Sequence, residues 1–173
     1  AIVTGINEGR GFYIQDPEAT TFGGLYVYGA GSITDGGLVS TGDQIRISGV
    51  YSEYYGMTQI GSPTVTVTGT ASMPEPIEVD DTCSVGTGGE LAEALEGMLI
   101  RVSDIDVTNS NPDAPSDYGE FEVNECLRVD DQLSEVLVPQ PEEGAHFESL
   151  SGVLTYTYGN SKLEPRGAED VAE

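Results

Sequence analysis

Residues 43–60 read DQIRISGVYSEYYGMTQI, and residues 146–163 read HFESLSGVLTYTYGNSKL. Ser48-Gly49-Val50, Tyr55-Gly56 and Ile60 in the first stretch match Ser151-Gly152-Val153, Tyr158-Gly159 and Leu163 in the second, each at an offset of 103. Working outward, Phe12-x-Ile14 aligns with Phe121-x-Val123, and Leu25-x-Val27 with Leu127-x-Val129. A collinear order of strand, strand, Gly-flanked long strand, Tyr-Gly turn and strand, met twice, points to two copies of one unit.

The local pattern agrees. Ala1–Ile6, Gly11–Asp16, Gly24–Tyr28, Asp43–Tyr51, Met57–Ile60 and Thr64–Thr68 are short β-branched or aromatic runs between Gly, Pro and Asp. That spacing predicts barrel or sandwich strands. Met73-Pro-Glu-Pro-Ile77 reads as an extended connector, because its prolines forbid a regular helix. Glu90–Glu96 carries strong helix formers, places Leu91, Ala94 and Leu95 on one face and ends at Gly97, so one short α-helix is expected there. Strands resume at Met98–Thr108, Glu120–Asn124, Leu127–Val129, Glu135–Val138, Ser149–Thr157 and Ser161–Glu164. The expected fold class is all-β: two five-strand Greek-key barrels of the OB type, in tandem, with one short helix. The expected division is 1–72 for the first barrel, 73–89 for the connector and 90–173 for the second barrel with its leading helix, with limited hinge freedom between them.

Charge narrows the partners. Six Lys and Arg stand against 30 Asp and Glu, a net charge of −24. Such a surface repels phosphate backbones and anionic membranes, so nucleic acid is disfavoured as a partner. No apolar run approaches the ~20 residues of a membrane span, so no membrane insertion is expected. The chain opens at Ala1 with no signal sequence, which is read as a processed product or an excised piece.

Gly11-Phe-Tyr-Ile-Gln-Asp-Pro17, Gly24-Leu-Tyr-Val-Tyr28 and Gly42-Asp-x-Ile-x-Ile-Ser-Gly-Val50 resemble OB-like modules of large bacterial secreted nucleases and surface proteins. In the second half, Leu95–Val102, Gly119–Val123, Leu127–Asp131 and Leu163–Arg166 resemble the same modules. The resemblance implies a non-catalytic, secreted or cell-surface module and carries no catalytic residues. It also implies that Cys83 and Cys126 form one disulfide pinning the connector to the second barrel; two separate thiols in a reducing compartment are the alternative.

No Gly-x-Ser-x-Gly elbow accompanies the single histidine, His146, and no phosphate loop occurs, so the chain is not read as an enzyme. Asp104 and Asp106 lie two apart on a strand, and Asp113 and Asp117 follow in a polar loop, a candidate oxygen cage for Ca²⁺. The bland alternative is a solvated acidic loop. Tyr26, Tyr28, Tyr54 and Tyr55 form a candidate binding face, since such rings stack on bases or sugars. The repeat of Tyr51–Tyr55 in Tyr156–Tyr158 favours a structural role instead. The opening strand looks half as long as its counterpart, leaving an edge for self-association by strand sharing, in the extreme a filament. The competing expectation is an accessory domain guiding nucleic acid to a nuclease.

Overall fold

The computed structural model describes residues 1–29, 33 and 37–173. The first barrel comprises β1 (Ile2–Asn7), β2 (Gly11–Gln15), β3 (Gly24–Tyr28), β4 (Asp43–Tyr54) and β5 (Met57–Thr70). It closes in the order β1-β2-β3-β5-β4, with β3 parallel to β5 and the other pairs antiparallel. After β6 (Ile77–Val79), the second barrel uses β7 (Leu99–Asn109), β8 (Phe121–Val123), β9 (Leu127–Val129), β10 (His146–Thr157) and β11 (Asn160–Glu164). Here β10 pairs with β7, so the order β7-β8-β9-β11-β10 also closes, again with one parallel pair, β9 with β11. β6 and β12 (Val171–Ala172) are added at its edges. Two five-stranded barrels of one topology are what the repeat at offset 103 predicts; Gln59 and Ile60, against β3, correspond at that offset to Lys162 and Leu163, against β9.

Each barrel fills with its inward-facing apolar side chains. Val3, Phe12, Ile14, Val27, Val39 and Ile45 form the first core. Ile100, Val102, Ile105, Phe121, Leu127, Leu150 and Leu163 belong to the larger second core. A third cluster, Tyr13, Tyr26, Met57, Leu99 and Val153, joins the two barrels. Polar contacts lock this junction: the buried Leu99 amide donates to Gln15 Oε1 at 2.9 Å, and the Thr58 amide donates to Glu96 Oε1 at 2.6 Å. Gly24 lies against the Gly97 backbone so closely that an added Cβ would clash at 2.2 Å. The disulfide Cys83–Cys126 is present, with Cα atoms 4.9 Å apart, and ties the 3₁₀ turn Thr82–Ser84 to the turn between β8 and β9.

Three elements differ from expectation. Residues 90–97 form successive turns rather than an α-helix. Their backbone groups are captured elsewhere: the Leu91 amide donates to the Ser84 carbonyl, and the Ala94 carbonyl accepts from the Phe22 amide of the first barrel. Leu95 is buried as expected, whereas Leu91 remains partly exposed. Glu135–Leu137, expected as a strand, is a 3₁₀ turn capped by Ser134, whose hydroxyl accepts from the Val136 amide. The two runs 57–60 and 64–68 are one strand, β5, bent by irregular pairing opposite Ser48–Val50.

Candidate functional site

Both barrels turn from their fourth to their fifth strand through the same dipeptide. Tyr55-Gly56 links Tyr54 to Met57, and Tyr158-Gly159 links Thr157 to Asn160. In each turn both residues have positive φ, 49° and 89° in the first and 52° and 81° in the second. Such tight turns suit the right-handed twist of a hairpin, and Asn-Gly is their favoured sequence. Glycine adopts this conformation freely, but a tyrosine there is strained. Neither ring is compensated by burial: Tyr55 is 85% exposed and Tyr158 is 91% exposed. At these two positions the repeated tyrosines are therefore not held by burial.

The docking of the barrels brings both turns to one cleft. Its volume is about 510 Å³. Tyr13 and Tyr26 form its floor, ring centroids 4.9 Å apart, with Met57 beside them. Tyr28, Tyr54 and Tyr55 rise from the first barrel, and Tyr156 and Tyr158 from the second. All four tyrosines of the expected binding face thus line one cavity. Tyr54 and Tyr55 meet edge to face at 4.8 Å. Asn7, Arg10, Gln59 and Gln132 supply polar groups among the rings. Burial pushes the Tyr26 hydroxyl up to about 12 and raises Tyr13 well above the usual phenol value, so the floor stays uncharged. The Tyr13 hydroxyl is paired with Thr155 Oγ1 at 2.8 Å.

A second cleft of about 670 Å³ continues from the first, sharing Asn7, Arg10, Gln132 and Tyr158. Its wall is ionic. Lys162, only 2% exposed, is hydrogen-bonded to Glu120 and, at 3.1 Å, to Asp130. Burial opposes the lysine charge, yet these carboxylates hold its pKa above the usual value. Arg128 bridges Asp113 at 2.9 Å and Glu120 at 2.8 Å. Behind them lies Glu164, fully buried, whose carboxyl makes no well-formed hydrogen bond and which burial keeps protonated well above the usual range. Sequence reasoning missed Glu120, Asp130 and Lys162, because nothing in their spacing announces a buried ion cluster.

The four carboxylates of the expected calcium cage do not converge. Asp106 pairs with His146 Nδ1 at 2.9 Å, and Asp104 lies 3.9 Å from the other ring nitrogen. Asp113 is engaged by Arg128, and Asp117 accepts from the Gly119 amide and from Gln140 Nε2. Among the described residues no three His, Cys, Asp or Glu side chains form a metal-holding group. No helix among the described residues is long and apolar enough to cross a membrane.

The fold and this junction define the class: a tandem OB-like double barrel with an aromatic cleft where its two units meet. No protein-family model matches the sequence, and no curated protein matches it.

Proposed function

We propose that the chain is a non-catalytic, extracellular binding module that holds a neutral oligosaccharide segment in the tyrosine cleft between its barrels. The observation that carries this reading is the pair of exposed, backbone-strained tyrosines, Tyr55 and Tyr158, on the rim of one cavity. Strain kept at an exposed position, with no burial in return, is the mark of a residue retained for contact. The site lies at the β1–β2 and β4–β5 turns of the first barrel, where OB folds engage oligonucleotides and oligosaccharides.

The chemistry favours sugar over nucleic acid. Flat phenol faces accept the apolar faces of sugar rings, and Asn7 Nδ2 donates to Gln132 Oε1 at 2.9 Å, which leaves the Gln132 amide nitrogen and the Asn7 carbonyl oxygen for hydroxyls. A polyanion would instead meet Asp113, Glu120, Asp130 and Asp131 in the adjoining cleft, in a molecule of net charge −24. The disulfide fits an oxidising, extracellular setting.

The test is isothermal titration with cello-, xylo- and chito-oligosaccharides, beside a single-stranded oligothymidylate at low salt. Binding of one sugar series, lost in Tyr55→Ala and Tyr158→Ala, is expected. Binding of the oligothymidylate alone would replace this reading with the nucleic-acid-guiding one.

A further inference from the structure

The walls of the tyrosine cleft contain two polar atoms that the fold leaves unmatched. Among the described residues, the buried side-chain polar atoms without a hydrogen-bond partner belong to Thr4, Gln59, Thr157 and Glu164. Gln59 and Thr157 both line the cleft, one from β5 of the first barrel and one from β10 of the second. Gln59 is 7% exposed; its Nε2 donates to Ser52 Oγ at 3.4 Å, and its Oε1 has no donor. Turning the amide over exchanges its two ends and still leaves one of them unpaired. At the corresponding place in the second barrel, Lys162 is engaged by two carboxylates. Thr157 Oγ1 likewise has no partner.

Buried donors and acceptors are nearly always paired in folded proteins, because an unmatched one forfeits its hydration for nothing. Two of them in the walls of one cavity, above the apolar surface of Tyr26 and Met57, describe the group that would complete it. That group donates to Gln59, accepts from the Thr157 hydroxyl and lays something apolar on the floor. A sugar hydroxyl answers one polar atom and brings nothing apolar. An acetamido substituent carries an N–H, a carbonyl and a methyl on one small plane, and it is uncharged.

Resting on the oligosaccharide reading of the cleft, we infer that its ligand contains an N-acetylated amino sugar, whose acetamido group is read by Gln59 and Thr157. The acetamido N–H donates to Gln59 Oε1, the Thr157 hydroxyl donates to the acetamido carbonyl, and the methyl packs on Met57 and Tyr26. The terminal torsion of a glutamine is broad, so the Gln59 amide turns toward the ligand without moving β5. Specificity of this kind comes from polar atoms that the right ligand satisfies and its analogue leaves unpaired.

Isothermal titration with chitotetraose, cellotetraose, xylotetraose and the fully deacetylated glucosamine tetramer tests this. Chitotetraose is expected to bind at least about tenfold more tightly than cellotetraose, which carries a hydroxyl where chitotetraose carries the acetamido group. Thr157→Val removes the unmatched hydroxyl at nearly constant volume. It should weaken chitotetraose about fivefold, leave cellotetraose unchanged and not lower Tm. Gln59→Met should narrow the same preference, with thermal melting confirming that it folds. Tighter binding of cellotetraose, xylotetraose or the glucosamine tetramer would overturn the inference and leave the oligosaccharide reading standing, whereas no binding of any tetramer would end both. A chitotetraose preference untouched by either variant, equal weakening of both sugars, or a lower Tm in Thr157→Val would also overturn the roles given to Gln59 and Thr157.

Discussion

Replacing Tyr158 by Asn should make the protein more stable while removing ligand binding. A non-glycine residue in the left-handed region costs roughly 1–2 kcal/mol, and Asn is among the few side chains that tolerate it. Tyr158 sits there at φ 52°, followed by Gly159 at 81°. Its ring is 91% exposed, so truncation sacrifices little burial. The main loss is the contact with the buried Lys162 ammonium, 5.6 Å from the centroid of the exposed ring, worth about 1 kcal/mol between the exposed and the desolvated limits. The balance is a gain of up to about 1 kcal/mol, or a Tm higher by up to about 2–4 °C for a chain of this size. Tyr55→Asn should behave alike, less its edge-to-face contact with Tyr54, and the double variant should add the gains because the turns belong to different barrels. Differential scanning calorimetry measures this directly. A fall in Tm in both single variants would show that these tyrosines stabilise the fold, and the inference from strain to binding would be refuted.

Three further outcomes are expected. Cys83→Ser/Cys126→Ser opens a loop with a sequence separation of 43, worth about 4 kcal/mol on the chain-entropy scale; denaturant unfolding and amide exchange should place the loss in the second barrel. Lys162→Met leaves Asp130 buried without its cation, while Glu120 keeps Arg128, and should cost about 3 kcal/mol in urea unfolding. Burial pushes the Glu96 carboxyl up to about 7 from 4.5 and raises Glu164 as well. A carboxyl raised in the fold releases its proton first in the unfolded chain, so its contribution is fully favourable below about pH 4.5 and is lost as pH rises through about 7. Tm should therefore be higher at pH 5 than at pH 8, with a shallower slope in Glu96→Gln; a Tm rising across that range would contradict the burial of these groups.

Much of the architecture was legible because it is written twice. Ser48-Gly49-Val50 and Ser151-Gly152-Val153 both lie on the fourth strand of a barrel, and both Tyr-Gly pairs are its following turn. Period-two alternation and turn residues are local signals, and the strands obey them. The 90–97 segment was misread because its helix propensity is local, whereas the bonds to Ser84 and Phe22 that displaced the helix are not. The calcium cage failed for the same reason. Arg128 and His146, distant in sequence, claim Asp113 and Asp106. The candidate tyrosines are named from strand composition, but their convergence with Tyr156 and Tyr158 depends on how one barrel docks on the other, which no short motif encodes.

The cleft itself is tested most directly by NMR. The ring resonances of the tyrosines are followed during titration with the cello-, xylo- and chito-oligosaccharide series. For one series, Tyr28, Tyr54, Tyr55 and Tyr158 should shift together and saturably, while Tyr51, whose hydroxyl donates to Glu53 outside the cleft, stays fixed. Saturable shifts confined to residues outside the cleft, or none with any series at millimolar sugar, would contradict the assignment of the inter-barrel cleft as the binding site.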